Sequence, residues 1–144
     1  TAHCAVGDIY DYRRSICTAY DRRLIGDDIL ARYVGVLILW ERYGEALQVL
    51  ALAENGATAR ILNLRAFATR HLGRPDEAIG LYLEALRIDP DYLPAREYLG
   101  EAYLMQGRRD RALDQLREIE SRCGHRCDEY ADLAEAIGEV PAAP

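Results

Sequence analysis

Cysteine and histidine are the side chains here with the most chemistry to offer, and they gather at the two ends of the 144-residue chain. His3, Cys4 and Cys17 stand near the start, and the segment "CGHRC" sets Cys123 and Cys127 around His125. Four cysteines in two close pairs predict bridges Cys4–Cys17 and Cys123–Cys127. Closing a loop of about 15 residues stabilises by about 3 kcal/mol, which suits the first pair. Two other readings of the same residues compete: reduced cysteines with a packing role, and a metal site built from Cys123, His125 and Cys127 with His3 and Cys4 in reserve. Structural zinc normally uses paired C-x2-4-C and H-x3-5-H spacings, and these two clusters are far apart in the chain. An even set of cysteines at element ends points to an oxidising compartment.

No catalytic constellation accompanies them. The sequence holds no G-x-S-x-G, no glycine-rich phosphate loop and no H-E-x-x-H. His71, the remaining histidine, has no nucleophile at a recognisable spacing. The expectation is a protein that is not an enzyme and uses no cofactor and no metal. The net charge is -6, all 18 basic residues being arginine, so the cationic excess that phosphate neutralisation requires is missing. Nucleic acid is not expected as a partner. The longest apolar run, "YVGVLILW" at 33–40, falls well short of the ~20 residues of a membrane span. Thr1 in first position fits a chain trimmed at its N-terminus, by signal-peptide removal or otherwise.

The rest of the sequence repeats itself. "GRPDEAIGLYLEAL" at 73–86 aligns with "GRRDRALDQLREIE" at 107–120, so that Gly73, Arg74, Asp76 and Ala78 recur 34 residues later as Gly107, Arg108, Asp110 and Ala112. A looser copy, "ERYGEALQVLALA", occupies 41–53. Each period holds two helices. The glycine ends the first, proline or aspartate opens the second, and "IDPDY" closes it because the residue before a proline is driven out of the helical region.

These residues resemble the tetratricopeptide repeat, a 34-residue helix–turn–helix unit, over about residues 28–123. Ala66, Ala78, Tyr82, Ala85 and Pro90 match the small, aromatic and proline positions of one unit. Leu99, Gly100, Tyr103 and Ala112 match those of the next, while 28–56 is degenerate and has Glu41 where a turn glycine is usual. Arg65 and Thr69 depart from the pattern at places that normally carry large apolar groups. The resemblance implies an all-α, right-handed solenoid of antiparallel helix pairs, in one domain over 1–144. Its parts are an N-terminal helix in 1–27, a degenerate repeat 28–56, repeats 57–90 and 91–123, a capping helix 127–140 and a frayed tail 141–144, with about eight helices in all. The N-terminal helix is expected to run from Asp8 to Gly26, burying Ile9, Ile16, Tyr20 and Leu24. Exposed repeat faces need such end pieces.

In this repeat class the first helix of each pair lines the concave side. Carried over residue by residue, that face presents Arg60, Asn63, Phe67 and Arg70 from one unit and Glu97, Glu101, Leu104 and Met105 from the next. The function implied is an interaction scaffold that binds a peptide or protein segment in the groove. The alternative is a structural subunit of a periplasmic or envelope assembly, held through convex or end surfaces. Either a monomer or a subunit of a hetero-complex is consistent with this. The close of the chain, Cys123 followed by Cys127-Asp128-Glu129-Tyr130, resembles the C-x3-C-[DE]-E-Y ending of small exported bacterial tetratricopeptide proteins. That implies a periplasmic or otherwise exported location.

Overall fold

The computed structural model describes residues 3–21 and 23–139; the 141–144 tail expected to fray lies outside them. Seven helices follow one another among these residues: α1 (Asp27–Leu39), α2 (Tyr43–Leu50), α3 (Ala59–His71), α4 (Pro75–Ile88), α5 (Leu93–Met105), α6 (Arg109–Cys123) and α7 (Asp128–Glu139). Each helix packs on the next, and α1, α3, α5 and α7 also pack in series. The result is an all-α solenoid of helix pairs closed by a single helix.

The turn inside each pair is built the same way three times. Glu41, Gly73 and Gly107 have φ of 57°, 83° and 72°. The following arginine amide then reaches back five residues: Arg42 to the Leu37 carbonyl, Arg74 to Thr69 and Arg108 to Tyr103. This double hydrogen-bonded stop satisfies carbonyls that the helix end leaves open. Glycine takes the left-handed conformation without penalty, whereas Glu41 is forced into it by its surroundings.

Between pairs, small residues set the spacing. Ala66, Ala78, Ala85, Ala95, Ala102 and Ala112 are fully buried, with Tyr82 and Leu99 filling the space between them. Gly100 meets the Leu133 side chain of α7 so closely that a Cβ there would overlap it. Thr58 caps α3 by accepting from the Ile61 amide, and Pro75 begins α4 where no amide is needed. Of the two residues that depart from the repeat pattern, Thr69 is buried and Arg65 is half-buried, its guanidinium running out beside Gly56. The arginine snorkels, so its charge stays hydrated.

The N-terminal helix expected over 8–26 is not there. Residues Asp8–Asp11 (β1) and Ile16–Ala19 (β2) form an antiparallel hairpin with Ile9 opposite Thr18 and Tyr10 opposite Cys17. The helix count is accordingly seven rather than eight among the described residues. Alternation explains the difference: Ile9 and Asp11 point inward, while Ile16 and Leu24, needed for a buried helical face, are 47% and 58% exposed. Ile, Tyr and Thr all favour a pleated surface. Asp11 closes the turn by accepting from the Arg13 amide and guanidinium, and Arg13 also donates to the Leu24 carbonyl. The Arg13 guanidinium holds the Asp11 carboxyl below its usual range. Cys4 pairs with Cys17, with a Cα separation of 5.4 Å, and Cys123 with Cys127 at 6.0 Å.

Candidate binding groove

The helices packed in series, α1, α3, α5 and α7, present one side of the solenoid. Along α3 the positions 60, 63, 67 and 70 fall on one stripe because they repeat every three or four residues. Facing it on α5 stands a register offset by 31. Phe67 meets Tyr98 edge-on with ring centroids 4.9 Å apart, and Arg70 pairs with Glu101 at 3.0 Å. Aromatic rings line the middle of this face: Tyr43 stacks on His71 at 4.8 Å, and His71 on Phe67 at 4.2 Å. The Arg70 guanidinium lies 5.3 Å from the Phe67 ring and 5.9 Å from Tyr98, so the cation sits between two π faces and a carboxylate. The Met105 sulfur lies 3.9 Å from the same guanidinium.

The structure therefore brings Phe67, Arg70, Glu101 and Met105 into one constellation. Arg60 stands apart at the lip, 3.8 Å from Asp28 on α1. Leu104 is half-buried and packs on the core of the last two pairs. Asn63 and Glu97 lie deeper, 5% and 7% exposed. Among the described residues no side chain or backbone group hydrogen-bonds the Asn63 Oδ1, and Arg70 Nε likewise lacks a partner. Buried polar atoms without partners are rare and costly.

Glu97 is the electrostatic anomaly of this face. Burial pushes its carboxyl up to about 8, with Glu101, Asp132 and Glu129 acting in the same direction and Arg70 opposing them. At neutral pH the group holds its proton. Burial also raises the Tyr98 hydroxyl, and raises Tyr82 beneath it far more.

Tyr43, His71, Tyr98, Glu129 and Asp132 complete the face and do not stand among the residues carried over from the repeat pattern. Of these, only Asp132 has a sequence signal, one further step of 34 from Tyr98. Among the described residues no group of three or more His, Cys, Asp or Glu side chains is placed to hold a metal ion. No helix among them is long and apolar enough to cross a membrane. An open cleft of about 620 Å³ lies elsewhere, between Tyr20, Asp21 and Arg23 and the end of α2. Among its described lining residues, Asp21 and Arg23 pair with each other.

Residues 70–139 match the family model described as tetratricopeptide repeat. Solved structures agree on the fold. The Yersinia enterocolitica type III secretion translocator chaperone SycD is similar with a TM-score of 0.68 at 16% identity, covering 81% of this chain and 86% of that one. SycD in complex with a peptide of the translocator YopD gives 0.66 at 17% identity, with 81% and 92% covered. MamA gives 0.64 at 17% identity, covering 77% of this chain and 66% of its own. No curated protein matches the chain in sequence.

Proposed function

We propose that the chain is a non-enzymatic interaction module whose concave face captures an extended peptide or protein segment. The observation that supports this most directly is the unfinished polar floor of the groove. Asn63 and Arg70 are more than nine-tenths buried, yet each keeps one polar atom unpartnered. A peptide backbone supplies both a donor for Asn63 Oδ1 and an acceptor for Arg70 Nε, while Phe67 and Tyr98 offer apolar contact beside them. SycD, alike in fold, is described in complex with a peptide.

The paired cysteines fit a protein exported to an oxidising compartment, which we take to be the periplasm or cell exterior. A second reading, a permanent subunit of an envelope assembly, is favoured by one feature. Leu39 is 81% exposed at the end of α1, and Trp40 and Leu72 share an open cleft beside it.

Partner capture from the native host separates the two. Asn63→Ala combined with Arg70→Ala abolishes capture if the groove is the working surface and leaves it intact if the edge is. Leu39→Asp with Leu72→Asp gives the reverse pattern. Capture unaffected by the groove pair and lost with the edge pair overturns the groove reading.

A further inference from the structure

The two carboxylates at the heart of the groove are matched unequally. Glu101 is neutralised by Arg70 at 3.0 Å, and that arginine is itself held over Phe67 and Tyr98. Glu97, one helical turn earlier, is 7% exposed and receives no hydrogen bond from any described residue. The charges acting on it are Glu101 from its own helix, Glu129 and Asp132 from α7, and Arg70 from α3. Three acids and one already-committed cation leave this corner short of positive charge. Asn63 adds an acceptor with no donor on the neighbouring stripe, buried to 5% exposure. Glu97 on α5 and the Asn63 Oδ1 on α3 are thus both acceptors without a donor, and the unpartnered donor beside them is the Arg70 Nε.

Resting on the groove reading above, we propose that the segment it binds carries a basic side chain, whose cation settles against Glu97 on the side facing α7. Arg70 already shows the arrangement this surface provides for a cation: a carboxylate at 3.0 Å and two aromatic rings about its guanidinium. A lysine or arginine from the partner finds a carboxylate one turn away at Glu97, with Glu129 and Asp132 as outer charges. Charge-assisted hydrogen bonds are about twice as strong as neutral ones, and burial strengthens them further. An acidic segment would instead bring like charge to this corner, which selects against it. Glu97 gives up its proton when the cation arrives, so affinity rises with pH up to about 8 and then levels.

The test uses two libraries of end-blocked decapeptides that differ only in lysine or glutamate at the central position, probed with the full chain. The expected result is retention of lysine members, with affinity falling about tenfold in Glu97→Gln, the scale of one charge-assisted contact. Glu97→Gln keeps the fold, because the neutral form is the one the free protein already holds; its thermal transition verifies this. Lysine preference undiminished in Glu97→Gln overturns the assignment to Glu97. Preference for glutamate, or none, overturns the basic-segment inference while the groove reading stands. If neither library is retained, and native partner capture is equally untouched by Asn63→Ala with Arg70→Ala, the groove reading itself fails. A dimer of the free chain that Glu97→Gln dissociates puts a second copy in the groove and overturns the peptide assignment.

Discussion

The two halves of the solenoid are stabilised by different means. In the half built from α3 to α7, alanines at the helix crossings bring backbones close, and Tyr82, Leu99 and Leu133 fill the layers. In the other half, Leu30, Tyr33, Val34, Leu37, Val49 and Leu50 form a core of larger groups. There a two-stranded hairpin, anchored by Ile9 and Cys4, covers the open side of α1. The Cys4 amide donates to the Tyr33 hydroxyl, and Asp27 accepts from the Glu54 and Asn55 amides, tying the start of α1 to the loop before α3. α3 belongs to both cores, with Ile61 and Ala68 on one and Leu62 and Ala66 on the other. A regular repeat stabilises itself by stacking. The degenerate one, with α2 only eight residues long, needs a cover from outside the repeat and a covalent tie to hold it.

Perturbing each half separately shows how far this contrast holds. Tyr82→Ala empties the largest site in the regular core and is expected to cost about 3–5 kcal/mol in chemical denaturation. Next comes the double replacement Cys4→Ser with Cys17→Ser, which releases the cover of the degenerate half. The cost is about 3 kcal/mol, against about 2 kcal/mol for the shorter Cys123–Cys127 loop. Hydrogen exchange should quicken over β1, β2 and α1 and stay unchanged over α5 to α7. Exchange quickening evenly along the chain would show that the two halves unfold as one.

Glu97 affects stability through pH. The folded chain holds a proton on Glu97 that the unfolded chain has released, from near 4.5 up to about 8. Stability therefore falls as pH rises through that window. Glu97→Gln removes this slope and gains roughly 2 kcal/mol at pH 8, discounting the full ~1.4 kcal/mol per pKa unit for water in the groove. Equal slopes in variant and parent would contradict the buried-acid account. The smallest effect expected is at the turn of the degenerate pair. Glu41→Gly relieves a side chain at φ 57° and stabilises by about 0.5–1 kcal/mol. Gly73→Ala and Gly107→Ala, in the equivalent turns, destabilise by a similar amount.

What could be read from the sequence divides along the same line. The pattern of 34 located α3 to α6 because Gly73, Gly107, Pro75 and Pro90 are punctuation with a local physical cause. The cysteine pairs were legible from proximity alone. The hairpin was not: Ile9, Ile16, Tyr20 and Leu24 fall near a helical spacing, and only the burial of Ile9 and Asp11 against the exposure of Ile16 decides for strands. Local pattern lost there to tertiary context, through α1 and the Cys4–Cys17 tie. On α3, the stripe of Asn63, Phe67 and Arg70 follows from helical geometry. The perturbation of Glu97 does not, since it needs α7, whose Glu129 and Asp132 lie about one period away in sequence and act only once the helices stack.

Amide chemical-shift mapping of the isotope-labelled chain with a bound peptide tests the central claim most directly. The concave-groove account predicts the largest shifts at Asn63, Phe67, Arg70, Glu97, Tyr98 and Glu101, on α3 and α5. Shifts confined to the hairpin, or to the outer helices α4 and α6, would contradict it.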